Sequence, residues 1–193
     1  MTPSTGDAEC PRPARAEARI LEATLAELAS AGFAGVTVEG VAARACVGRA
    51  TIYRHWSSRA DLVIAAVRSI HVDVEPPDTG TIRGDLLAQA TVLTHSLAST
   101  PLGTILPALI EGGRRDPELA ALYGRLVDER RAAFAPMVER AVARGELPDH
   151  VDRDLLLDVV VGPIFYRHLV RRTATTPEEV AVVVDAALAA VRR

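Results

Sequence analysis

Between Cys46 and Arg59 the chain reads CVGRATIYRHWSSR, which gathers cationic and hydrogen-bonding side chains into one short segment. Placed on a helix at about 100° per residue, Arg49 to Trp56 separates into two faces. Ile52 and Trp56 point one way as an apolar pair for the core. Ala50, Thr51 and Arg54 point the other way, with Tyr53 and His55 on the flanks. A helix that enters the major groove of DNA needs small residues near its start, a side chain that forks onto a base edge, and flanking donors for the two phosphate walls. Ala50 and Thr51, then Arg54, then Tyr53, His55 and Arg59 supply these in order. The chemistry predicted here is recognition, not catalysis.

Nothing else in the chain points to a reaction. The sequence contains no G-x-S-x-G, H-E-x-x-H, C-x-x-C, Walker or Rossmann run, so it offers no nucleophile, metal cradle or phosphate cradle, and neither enzyme activity nor a cofactor is expected. His71, His95, His150 and His168 show no ligand spacing. Cys10 and Cys46 lie too far apart for a metal site or a disulfide framework, which makes a reducing cytoplasm the expected compartment. Cys46 reads as an inert thiol, with a redox switch inside the reading segment as the competing reading.

Charge is unevenly spread over the 193 residues. Residues 44–68 carry five arginines against Asp61 alone, whereas residues 71–193 carry fourteen arginines against eighteen acids. The chain therefore has a basic front and an acidic body. The stretch from Leu86 to Ile110 has no charge, but Gln89, His95, Pro101 and Pro107 interrupt it, and it reads as two buried helices instead of a membrane span. The first eleven residues lack an apolar signal region and are expected to form a flexible arm.

The elements that must position the reading segment follow from helix punctuation. A first helix is expected from about residue 12 to Ala31, with Leu21, Leu25 and Leu28 on one face and Gly32 as its stop. Thr37 caps a short helix whose Val38, Val41, Ala42 and Ala45 form an apolar face. A tight turn at Cys46-Val47-Gly48 then leads into Arg49–Trp56, which is the helix-turn-helix layout. Ser58 and Asp61 form a capping box for a fourth helix to about His71. After the linker DVEPPDTG, helices are expected at about 81–99, from Thr100-Pro101 to Gly112-Gly113, and from Asp116 to Gly145 with a bend at Pro136. Asp152 opens another to about Arg172, bent at Gly162-Pro163, and Thr176-Pro177-Glu178-Glu179 opens the last. That bend reads either as a packing kink or as the edge of a cavity or dimer seam. The fold class is all-α with about nine helices: a flexible arm over 1–11, a helix-turn-helix domain over 12–57 and a helical regulatory and dimerisation domain over 58–193.

The run TVEGVAARACVGRATIYRHWSSRADL, Thr37 to Leu62, resembles the DNA-binding domain of the TetR family of bacterial transcriptional repressors. That family's pattern is a threonine-capped second helix, an alanine-rich face, a Gly-Val turn, T-I/L-Y-x-H/Y-F, then S-K/R-x-x-L. RAVARGEL and DRDLLLDVVVGPIFYRHLV resemble one subgroup of its C-terminal domains. Cys46 stands where the pattern has glycine, Gly48 where it has serine or another cap, and Arg59 where lysine is commoner. The resemblance implies a homodimer that binds a palindromic operator in double-stranded DNA and releases it when a small molecule enters the C-terminal domain. By position, Thr37, Arg49, Thr51, Tyr53, His55 and Arg59 match the phosphate-contacting set, and Arg49, Ala50 and Arg54 fall where bases are read. A cytoplasmic, nucleoid-associated protein without a membrane partner is expected.

For the effector, the sequence offers Leu93, Thr94, His95, Leu97, Leu106, Ile110, Tyr123, Leu126, Phe134, Met137, Phe165 and His168 as candidate pocket walls and anchors, suiting an apolar or aromatic molecule. For the dimer, the expected interface is Leu155, Val159, Gly162, Phe165 and Tyr166 on the two-sided helix, with Val180, Val184, Leu188 and Val191 on the final stripe. The competing function is a helical small-molecule-binding or scaffold protein whose head no longer reads DNA.

Overall fold

The computed structural model describes residues 13–70 and 75–191, and the expected arm over 1–11 lies outside the described residues. Among them the chain forms α1 (Pro13–Gly35), α2 (Val38–Ala45), α3 (Arg49–His55), α4 (Arg59–Ser69), α5 (Ile82–Ser99), α6 (Leu102–Gly113), α7 (Pro117–Ala132), α8 (Ala135–Ala143), α9 (Arg153–Tyr166) and α10 (Pro177–Val191). A π-helical turn, Arg167–Arg171, extends α9. No described residue lies in a strand.

Local chemistry fixes most of these boundaries. Thr37 Oγ1 accepts the Gly40 N–H at 3.0 Å, and Asp152 Oδ1 accepts the Leu155 N–H at 3.0 Å. Thr176 and Glu179 bond each other's backbone N–H reciprocally, which satisfies two donors that a helix start leaves open. The Ser58 box is modified: Ser58 Oγ accepts from Asp61 N–H, but the Asp61 carboxylate reaches back to Ser57 N–H. Gly32 leaves helical geometry at φ 67°, ψ 177°, and one more turn follows it to Gly35. The helix expected from 116 to 145 is two, because Pro136 has no N–H for the helical ladder. α7 therefore ends at Ala132 and Pro136 sits in the first turn of α8.

Two apolar cores meet along α6. The first joins α1, α2, α3 and α4 to Ile105 and Leu109 of α6 and to Leu119 and Leu126 of α7. The second joins α5, α6, α8, α9 and α10. Ala60, Leu62, Val63, Ala66 and Val67 all lie in the first core, so α4 packs with the reading head, although the sequence reading starts the second domain at residue 58. A buried polar cluster fastens the linker to the body. Asp85, fully buried in the first turn of α5, accepts Thr79 N–H at 2.6 Å and the Thr79 hydroxyl at 2.7 Å. Arg140 and Arg144 stand 3.9 and 3.8 Å from its other oxygen, and Arg140 also donates to Pro77 O at 2.6 Å. No helix of the described residues is long and apolar enough to cross a membrane.

Candidate nucleic-acid interface

α3 has only seven residues, too short to be stable alone. Its hold on the head is Ile52, 1% exposed, and Trp56, 7% exposed, which caps the helix and sits in the first core as the sequence predicts. Burying Ile52 alone contributes about 1.5–3 kcal/mol. With that face inside, Ala50, Tyr53, Arg54 and His55 are exposed and Thr51 is half-buried. The organised outer face expected from the sequence is therefore present, with small Ala50 near the start and Arg54 one turn on.

The turn that aims α3 carries the departures from the family pattern. Cys46 adopts the left-handed conformation at φ 51°, ψ 50°, where a β-carbon costs about 1 kcal/mol and glycine none. The turn nevertheless closes, with Cys46 N–H donating to Ala43 O and Val47 N–H to Ala42 O at 3.0 Å. The thiol is exposed. Gly48 precedes α3 in extended conformation and gives it no side-chain cap.

The other candidate contacts are placed with varying readiness. Thr37 spends a lone pair on its cap, so its hydroxyl hydrogen remains for a phosphate oxygen. Arg49 Nη1 is held by Glu39 Oε1 at 2.9 Å, a partner that the sequence reading missed. Arg59 lies 4.2 Å above the Phe33 ring, with its Nη2 3.5 Å from Asp116 Oδ2. Ser58 Oγ donates to Glu118 Oε1 at 2.7 Å, and Arg68 meets Glu129 at 2.6 Å, which fastens α4 to α7.

The expected effector residues are divided between the two cores and the surface. Leu97, Leu106 and Met137 are buried in the second core and Leu126 in the first, while His95 and Ile110 lie on the surface. The uncharged run spends its apolar positions on helix packing, with Ile105 and Leu109 facing the head and Leu86, Ala90, Leu97, Leu102 and Leu106 facing the body. Leu93, Tyr123, Phe134 and Phe165 are half-buried against the second core, and Thr94 is half-buried on α5. Burial raises the pKa of Tyr123 above that of a free phenol. The Nε2 of His168 lies 3.1 Å from Gly103 O, bringing the π-turn against the start of α6.

The expected dimer stripe on α10 is corrected. Val180, Val184 and Leu188 are 2%, 0% and 4% exposed within the chain itself, packed in the second core, and Val191 is half-buried against the same core. The period was right, but α5 and α9 of the same chain cover that face, so these residues cannot face a partner. Val159 and Phe165 also pack partly inward. Leu155 and Tyr166 are 54% and 56% exposed and Gly162 is exposed, all three on one face of α9. Val170 and Val182 are 65% and 69% exposed and were not anticipated, and Val182 lines a concavity together with Tyr166. Between α9 and α10 a concavity of about 410 Å³ is lined by Pro163, Tyr166, Arg167, Val182 and Val183 among others.

Comparison with known proteins agrees with this geometry. Residues 20–66 match the family described as "Bacterial regulatory proteins, tetR family", and residues 76–187 match "Tetracyclin repressor-like, C-terminal domain". The HTH-type transcriptional regulator YdeS of Bacillus subtilis is 37% identical, covering 83% of this chain and 81% of its own length. The DNA-binding transcriptional repressor TetR of Mycobacteroides abscessus is 34% identical over 80% of this chain and 84% of its own. The crystal structure of the TetR family transcription regulator SCO0332 superposes with a TM-score of 0.69 at 32% identity, covering 92% of this chain and 98% of that one. With a helix-turn-helix head, a helical body and relatives that are transcriptional regulators, not enzymes, the chain belongs to the TetR family of DNA-binding regulators.

Proposed function

We propose that this regulator is a repressor that binds a palindromic operator as a homodimer through α3 and leaves it when a small apolar or aromatic effector enters the body. The observation that carries the reading is the outer face of α3. Ala50, Tyr53, Arg54 and His55 are presented to solvent by a helix whose other face is locked by Ile52 and Trp56. Arg54 and Ala50 read bases, while Thr37, Thr51, Tyr53, His55 and Arg59 hold phosphates. The closed turn at Cys46 favours this over the scaffold reading, since the head retains its aim despite both departures. The relative from Mycobacteroides abscessus is described as a repressor, which supports the same sign of regulation here.

The partner subunit docks on Leu155, Gly162 and Tyr166 of α9 with Val182 of α10, exposed residues beside a concavity that Arg167, Arg171, Glu178 and Glu179 also line. The effector enters beside the half-buried Leu93, Tyr123, Phe134 and Phe165, with Thr94, Tyr123 and His168 as polar anchors. Selection of genomic fragments on the full-length protein, followed by sequencing, tests the reading. It predicts enrichment of one palindromic sequence, and recovery of fragments without a shared sequence would favour the scaffold reading.

A further inference from the structure

Arg49 occupies an exposed position with little local support. It is the first residue of α3, where the helix end carries partial positive charge that disfavours a cation. Gly48 before it has no side chain, and the first turn of α3 contains no acid. A long guanidinium side chain placed there by local sequence alone would sample many rotamers, and ordering it at the moment of binding would weaken any base contact.

The fold supplies the missing partner from another helix. Glu39, in the first turn of α2, brings its Oε1 to 2.9 Å from Arg49 Nη1. We propose that Glu39 is a positioning residue for base recognition, holding the Arg49 guanidinium so that its other edge meets a guanine in the major groove. This rests on the reading of α3 as the DNA-reading helix. The hydrogen bond from Arg49 is also the leading cause that keeps the Glu39 carboxyl below its usual range.

Stability does not account for the pair. Its two side chains are 63% and 62% exposed, and ion pairs this open add little to folding. Orientation does account for it. One N–H of the fork is committed to Glu39, which leaves Nε and Nη2 for the O6 and N7 acceptors that guanine presents side by side. The carboxylate acts a second time through its charge, because an acid on the DNA-facing surface repels phosphates and weakens binding that is not directed by bases. Glu39 thus favours the matching base and penalises undirected contact together.

The test uses the full-length wild type, Glu39→Gln, Glu39→Asp, Arg49→Ala and the double variant Glu39→Gln with Arg49→Ala. Each is put through selection on random DNA, then titrated against the enriched site, its single-base-pair variants and scrambled DNA. Glu39→Gln is expected to lower discrimination about fivefold, the lower range for one bidentate base contact, at the same base pair where Arg49→Ala acts. Affinity for scrambled DNA should hold or rise. In the Arg49→Ala background Glu39→Gln should change discrimination no further, and Glu39→Asp, with its charge on a shorter arm, should fall between wild type and Glu39→Gln. Equal losses on all sequences would show Glu39 merely supporting α2, and an unchanged base profile would leave it without a role; either overturns the proposal alone. A wild type that enriches no sequence would overturn the DNA-reading assignment and this proposal with it.

Discussion

Replacing Asp85 with alanine should destabilise the protein more than any other single change in the linker or at the start of α5. The carboxylate is fully buried and accepts two hydrogen bonds on one oxygen, at 2.6 and 2.7 Å, both from Thr79. Its other oxygen faces the guanidinium groups of Arg140 and Arg144 at 3.9 and 3.8 Å. Alanine would leave the Thr79 N–H without its acceptor and remove the buried member of a cluster in which Asp78, 3.5 and 3.8 Å from Arg140 and Arg144, and Glu146 beside Arg144 are the remaining acids. Breaking a buried ion cluster from one side costs about 3–5 kcal/mol. For a chain of this length that corresponds to a midpoint lower by about 6–20 °C. Asp85→Asn should cost less, about 1–3 kcal/mol, because its amide oxygen still accepts from Thr79 while its NH2 faces the arginines. Thermal and urea unfolding at one fixed protein concentration measure all three proteins, since a dimer's midpoint moves with concentration. An Asp85→Ala protein within about 1 kcal/mol of wild type would refute the reasoning.

Three further outcomes follow from the structure. Cys46→Gly relieves a left-handed residue by about 1 kcal/mol and loosens the unfolded chain by about 0.4–1 kcal/mol. With the thiol exposed and no cavity left behind, urea unfolding should therefore show no change or a gain of up to about 0.5 kcal/mol. Tyr166→Asp with Val182→Asp should give a folded monomer in sedimentation with helical content retained, whereas charges at Val184 and Leu188 should unfold the body, because those two side chains are buried in the chain's own core. Glu129 and Asp185 have carboxyls held below their usual range by hydrogen bonds from Arg68 and Arg83. The unfolded chain then takes up protons first, so their contribution is complete above the unfolded carboxylate values, about 4. It should disappear as pH falls through the lower folded values, visible as an acid-side decline in urea midpoint that high salt flattens.

The parts legible in the sequence are those that local chemistry decides. Thr37, Ser58, Asp152 and Thr176 cap their helices because a side-chain oxygen three residues before an open N–H needs no tertiary help. The two faces of α3 follow from helical period alone, and the glycine that the family pattern has at Cys46 is the signal for the left-handed turn found there. What failed depended on which neighbour covers a face. The Val180, Val184 and Leu188 stripe was correctly periodic, but period cannot say whether a helix of the same chain or of its partner lies against it. Val182, two positions away from that stripe, was overlooked as a partner-facing residue for the same reason. Asp85 looks locally like any first-turn acid that favours a helix dipole, and only the approach of Arg140 and Arg144 from α8 and its end makes it a buried clamp. Glu39 and Asp116 were silent likewise, since their arginine partners arrive from other helices.

Arg54 lies in the middle of the exposed face of α3, so its removal probes base reading by that helix at its centre. The measurement is a paired titration of wild type and Arg54→Ala against the selected operator, each of its single-base-pair variants and scrambled DNA, at one salt concentration. If α3 reads bases, Arg54→Ala loses about 1–3 kcal/mol on the operator, relaxes preference at one base position per half-site and binds scrambled DNA nearly as before. Equal losses on operator and scrambled DNA would contradict it and would make Arg54 a phosphate contact.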